Sequence, residues 1–218
     1  MRWIAMVLMA LLATTGSASE IADQQASLSV FVGRLVSIRE LPDPCPPLSA
    51  DNETMCISMD ALYEATYEVK RAISGTATSG NVTFKIADHY GFPRFARYHH
   101  ALLFVQLTPD GAYLDKYQGF DVHETASGDW ASCGLPDEGK VEDPELIDVT
   151  FASHVNFGSV GHLTKAAVLE EFPADTFRIR NGIAYCRKGV LADEFVEWWL
   201  RERAPSADDA DTQSGAPD

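Results

Sequence analysis

A mainly β fold, an all-β barrel or sandwich followed by a smaller mixed segment, is what three features of this sequence predict. Apolar residues recur with period two through the first half of the chain. Turn-forming residues separate these runs, and no helical pattern intervenes between them. The 218 residues fit one large domain, or one domain with an appendage, and suffice to bury a substantial core.

The chain opens "MRWIAMVLMALLATTGSASE". A single arginine, an apolar run from Trp3 to Ala13, and then small residues are the order of a secretory signal peptide over residues 1–19, with cleavage after Ala18 or Ser19. The run is too short for a bilayer core of about 30 Å, and no later stretch is long and apolar enough to span one. The expected product is exported, periplasmic or secreted. Its net charge of −15 disfavours nucleic acid and anionic membrane surfaces, which select clustered Lys and Arg. Four cysteines, Cys45, Cys56, Cys133 and Cys186, follow the leader, and an even count in an exported chain reads as disulfides. Of three possible connectivities, the favoured one closes a proline-rich loop with Cys45–Cys56 and ties a middle segment to a late one with Cys133–Cys186. The spacings are irregular and contain no C-x-x-C pair, so they do not read as a zinc site.

The first element, "SLSVFVGRLVSI", is apolar on both sides, with Val30, Val32, Val36 and Ile38 on one face and Phe31 and Leu35 on the other. A strand buried on both faces reads this way, and Gly33 within it marks a bend or a close backbone approach. The run Ala61 to Ile73 alternates, placing Ala61, Tyr63, Ala65, Tyr67, Val69 and Ile73 on one face. "NVTFKIA" repeats the pattern through Val82, Phe84 and Ile86, and the Gly- and Ser-rich segment between the two predicts a hairpin. "HHALLFVQL" is a second two-sided strand, and "TPDGAYLDKYQGF" is a Pro-Asp-Gly turn into a fifth. Later, "HLTKAAVLEEF" has roughly helical spacing. "TFRIRNGIAYC" predicts a hairpin turning at Asn181-Gly182. "LADEFVEWWLRER" is an amphipathic helix with Leu191, Phe195, Val196 and Trp199 as its apolar stripe. Of Trp198 and Trp199, one is expected to pack inward and its neighbour to sit nearer the surface. The acidic tail 205–218 is expected to be disordered.

The order "VFVG", a cysteine-bearing loop, "ATYEV" ending at a glycine, "NVTFKIAD" and "LLFV" running into an Asp-Gly turn resembles the netrin-like OB barrel of the tissue inhibitors of metalloproteinases and their bacterial look-alikes. The resemblance covers Ser27 to Gln118 and implies a five-stranded OB-like barrel within an α+β chain. The barrel is placed at 20–125, with a hairpin-and-helix extension packed on it at 126–204. Animal members of that family chelate a protease's zinc with an N-terminal cysteine. Here the first cysteine is Cys45, so the resemblance implies the fold without that inhibitory chemistry.

Six histidines are the metal or acid–base candidates, and none forms an H-E-x-x-H pair. His99 and His100, adjacent at the head of a strand, are expected on opposite faces. His154 and His162 lie in a Gly-rich region, where a cleft joining either with carboxylates would mark an enzyme. No G-x-S-x-G or comparable nucleophile motif occurs, and no cofactor is implied. The loop "DHYGFPRFARY" stands apart. It concentrates aromatic residues and arginines, the types enriched at interface hot spots, in an otherwise acidic chain. His89, Tyr90, Phe92, Arg94 and Arg97 are its candidate binding residues, while Phe95 and Tyr98 are expected to cap the barrel. The expectation is thus a non-catalytic module that binds another protein, as an inhibitor of a hydrolase or an immunity-type factor. The alternatives are an envelope hydrolase using His and carboxylates, and a structural component of an envelope assembly.

Overall fold

The computed structural model describes residues 27–43, 45, 58–77, 79–136 and 143–203. The leader, Cys56 and the acidic tail lie outside the described residues.

Five strands, β1 (Ser27–Glu40), β2 (Ala61–Ser74), β3 (Asn81–Asp88), β4 (Ala101–Thr108) and β5 (Gly111–Asp121), close a barrel in the order β1-β2-β3-β5-β4. All neighbours are antiparallel except β3 and β5, which meet in parallel at Lys85 and Tyr113. This is the expected OB-like barrel in a mainly β chain. Closure leaves the sheet no free edge. The interior is filled by Phe31, Tyr63, Ala65, Tyr67, Phe84, Ile86, Ala101, Leu103, Val105 and Leu114, the period-two positions of each strand.

The other faces of β1 and β4 account for their two-sided sequences. Val30, Val32, Leu102 and Phe104 point out of the barrel into a second core beneath the C-terminal helix α2 (Ala192–Glu202). Phe195, Val196, Trp198 and Trp199 of α2 are all buried there, so the expectation that one tryptophan sits nearer the surface is corrected. Trp130 and Val190 from the segment beyond the barrel join the same core, so residues on more than one side of the helix are enclosed. Arg71 near the end of β2 ion-pairs with Asp129 and with Asp193 in the first turn of α2, where a carboxylate also suits the helix dipole.

One expectation for β1 fails midway along it. Val30 and Val32 share the outer face, but Ile38 packs with Phe31 and Leu35 against the barrel interior, and Val36 is 52% exposed. Pairing with β2 is irregular between Val32 and Gly33 and between Leu35 and Ser37, and a one-residue slip sends every later side chain to the opposite face. Gly33 makes the close approach expected of it: a Cβ there would sit 3.1–3.2 Å from the Phe31 and Tyr67 side chains. On β2, Ile73 leaves the interior set to join the core under α2.

Beyond the barrel, β6 (His123–Glu124) pairs with β7 (Trp130–Ala131), and β8 (Ile147–Asp148) with β12 (Lys188–Gly189). A three-stranded sheet runs β10-β11-β9, from β9 (Asn156–Ser159), β10 (Phe177–Arg180) and β11 (Ile183–Cys186). β10 and β11 form the expected hairpin, with Asn181 at φ 52° and Gly182 at φ 72°, the two left-handed residues of a type I′ turn. Helix α1 (Lys165–Glu171) is capped by the Thr164 hydroxyl, which accepts from the Ala167 amide, and it buries no residue. The Cys133–Cys186 disulfide, with Cα atoms 5.8 Å apart, ties the segment after β7 to β11. Cys45 is also disulfide-bonded. The expected Cys45–Cys56 pairing involves Cys56, outside the described residues. Among the described residues, no helix is long and apolar enough to cross a membrane.

Candidate binding groove

The loop from β3 to β4 is built around one buried ring. The Tyr90 amide donates to the Asp88 carboxylate at 2.8 Å, and Gly91 at φ 94° lets the chain turn back. Pro93 then starts a single 3₁₀ turn, Arg94–Arg97, in which the Ala96 amide donates to the Pro93 carbonyl. The turn drives Phe95 into one end of the barrel, beside Tyr67, with ring centroids 6.2 Å apart. Gly119 on β5 makes room: a Cβ there would lie 2.7–2.9 Å from three Phe95 carbons. Phe95 caps the barrel as expected, Tyr98 packs half-buried beside it, and the neighbouring aromatic residues and arginines of the loop are left more exposed.

Those neighbours line a groove of about 600 Å³. Tyr90, Phe92, Arg94, Arg97 and Tyr98 form one wall, and Tyr117 of β5 stands opposite. Tyr90 is 85% exposed, and Phe92 and Tyr117 are each 46% exposed. Tyr90 contacts Tyr117 across the groove, centroids 5.8 Å apart, and the Arg97 guanidinium lies 5.8 Å over the Phe92 ring. Neither Arg94 nor Arg97 is ion-paired among the described residues, although Asp and Glu outnumber Lys and Arg 32 to 17 in the chain. Burial pushes the Tyr98 hydroxyl above its ordinary value; Arg94 opposes that rise and Asp121 adds to it.

Of the five candidate residues, Tyr90, Phe92, Arg94 and Arg97 come together here. His89 sits behind Tyr90. Its Nδ1 lies 2.7 Å from the Met59 carbonyl and 3.6 Å from the Asp60 carboxylate, with its ring edge-on to Tyr90.

Tyr117 is the groove residue that the sequence reading missed. Pairing of β5 with β4 jumps from Leu103–Gly119 to Val105–Leu114, so residues 115–118 form a bulge opposite one residue of β4. Tyr117 sits at φ 65°, a left-handed conformation costing a residue with a Cβ about 1–2 kcal/mol. Contacts on both flanks hold it. The Trp199 indole donates to Gln118 Oε1 at 2.9 Å, and Arg203 pairs with Asp115 at 3.3 Å, both from the end of α2. Lys116 bonds Asp60 at 2.7 Å and lies 5.4 Å over the Tyr117 ring. The only trace in the sequence is a run of polar residues, "DKYQ", interrupting the alternation of β5.

The histidine pair also departs from expectation. His99 and His100 face each other, with Nδ1 atoms 2.9 Å apart and ring centroids at 4.4 Å. They lie in a bend before β4 begins at Ala101, so strand alternation does not apply to them. His100 packs on Trp130 at 4.6 Å. Among the described residues, no three His, Cys, Asp or Glu side chains are grouped to hold a metal ion. His162 is exposed, and His154 shares its cleft with Arg178, Arg180 and Tyr185, where no carboxylate among the described residues joins it.

No family model, curated protein or solved structure matches the chain.

Proposed function

We propose that this chain is an exported, non-catalytic module that binds another protein through the groove beside the Phe95 plug. The observation carrying this reading is the combination of exposed Tyr90, Phe92 and Tyr117 with two arginines that are unpaired among the described residues of a strongly acidic chain. Aromatic rings supply contact area at low entropic cost, and unpaired guanidiniums favour carboxylates. The complementary partner therefore presents acidic side chains flanked by apolar ones. The disulfide and the signal-like leader support export. The netrin-like resemblance is one of fold and lacks the chelating N-terminal cysteine, so a role as an inhibitor of a hydrolase or as an immunity-type factor would run through the groove.

The test is capture of a stoichiometric partner from envelope or culture extracts by the intact protein. A Y90A/F92A/R94A variant should lose that partner while remaining folded, with a stability loss of at most about 2 kcal/mol, because surface substitutions cost up to about 0.5 kcal/mol each and F92A also gives up the edge-on contact with Tyr63. Undiminished capture by the variant removes the groove from the interface.

A further inference from the structure

We propose that the outer face of the β10–β11 hairpin is a second binding site, independent of the groove, for a small organic phosphate or sulfate ester. Arg178 and Arg180 lie two residues apart on β10 and so project from the same face. Arg178 is registered opposite Tyr185 of β11, which puts that ring on the same face. His154 meets Tyr185 edge-on, with centroids 6.1 Å apart. Together with Asn181 of the turn they line a cleft of about 210 Å³. An adjoining cleft of about 260 Å³ shares His154, Arg178 and Tyr185 and continues over Thr150, Ser153 and Val155.

The charge pattern selects the ligand. Among the described residues no carboxylate lines either cleft, in a chain with 32 acidic and 17 basic residues. Arg187, close by, is neutralised by Asp148 at 3.4 Å, whereas Arg178 and Arg180 are in no ion pair among the described residues. Two uncompensated guanidinium forks side by side, with a phenol and an amide as further donors, match a tetrahedral oxyanion better than a single carboxylate. The second cleft is partly apolar, floored by Val155 and walled by the Tyr185 ring, and it accommodates the organic body that carries the anion.

Isothermal titration of the intact protein with glucose 6-phosphate, glucose 6-sulfate, inorganic phosphate and glucose tests the assignment. Saturable one-site binding of either ester, with none for glucose, supports it. In R178Q/R180Q the affinity should fall about tenfold or more per arginine, as expected for lost hydrogen bonds to a charged group. The control R34Q/R39Q removes the same charge from the barrel surface and should leave binding unchanged. Equal weakening in both variants would reduce the effect to net charge and overturn the site, as would absence of saturable ester binding. Inorganic phosphate binding as tightly as the esters would overturn the role of the second cleft. Should R178Q/R180Q fold poorly, the wild-type protein decides: sulfate must displace the ester, and chloride at matched ionic strength must not.

Discussion

The fit between Phe95 and Gly119 gives the sharpest test of how the groove is made. A Cβ on residue 119 would lie 2.7 Å from Phe95 Cγ and 2.9 Å from Cβ and Cδ1. These are atoms near the root of a 5%-exposed ring, so the ring cannot swing aside as a flexible tip would. G119A should therefore cost about 1–3 kcal/mol through overpacking. F95A leaves a cavity at the barrel end and should cost about 3–5 kcal/mol. In the double variant the contacts with Cγ and Cδ1 disappear and part of the cavity fills, leaving only the 2.9 Å approach of the two alanine methyls, which a small shift into the vacated space relieves. The combined cost should fall below the sum of the single costs by about 1–3 kcal/mol, within the coupling range of side chains in direct contact. Urea unfolding under oxidising conditions, read at a common m-value, measures the cycle. Additive costs, or a G119A protein as stable as the parent, would refute the view that Phe95 is wedged against β5. The same G119A variant should weaken partner capture, because displacing the 3₁₀ turn moves Arg94 and Arg97.

Three further outcomes follow from particular contacts. W199F removes the donor to Gln118 Oε1 while keeping most of the ring packing on Phe104, and should cost about 1–3 kcal/mol for the orphaned buried acceptor. A thermal scan showing no loss would mean that water replaces the indole. Removing the Cys133–Cys186 bridge as C133S/C186S opens a loop with a sequence separation of 53 and should lower stability by about 4 kcal/mol on the chain-entropy account; a loss under about 1 kcal/mol would place the restraint elsewhere. His100 is lowered from 6.5 to about 4, first by burial and then by the charges of His99, Lys70, Arg34 and His123. The unfolded chain takes up this proton near 6.5 and the folded chain only near 4, so the His100 contribution is complete above pH 6.5 and is lost as pH falls toward 4. Urea midpoints between pH 7 and 5 should decline less steeply in H100Q than in the parent, and identical slopes would exclude His100 as the source.

Much of the barrel is legible in the sequence because period two is a local consequence of strand geometry. Tyr63, Ala65 and Tyr67, Phe84 and Ile86, and Leu103 and Val105 all face inward as their spacing requires. The two-sided patterns of β1 and β4 and the amphipathic terminal helix are both local signals, but that Phe195, Val196, Trp198 and Trp199 share a core with Val30, Val32, Leu102 and Phe104 is not legible in them. The candidate site was half legible. Tyr90, Phe92, Arg94 and Arg97 are neighbours in the chain, so composition alone brought them into view. Tyr117 was not, because a bulge depends on the register between two strands and leaves no periodic mark. The facing of His99 and His100 escapes the sequence for a related reason: strand alternation begins only at Ala101, after the bend that turns their rings together.

By itself, then, the sequence determined the mainly β class, the order of the five strands along the chain, the turn at Asn181-Gly182 and the amphipathic terminal helix, since each follows from contacts within a few residues. Only the tertiary structure decided that Phe95 seals the barrel against Gly119, that Trp199 and Arg203 brace the bulge presenting Tyr117, and that Arg178, Arg180, Tyr185 and His154 converge on one cleft. These arrangements join residues distant in sequence, and barrel closure, strand register and bulges place such residues together without any local pattern to record it.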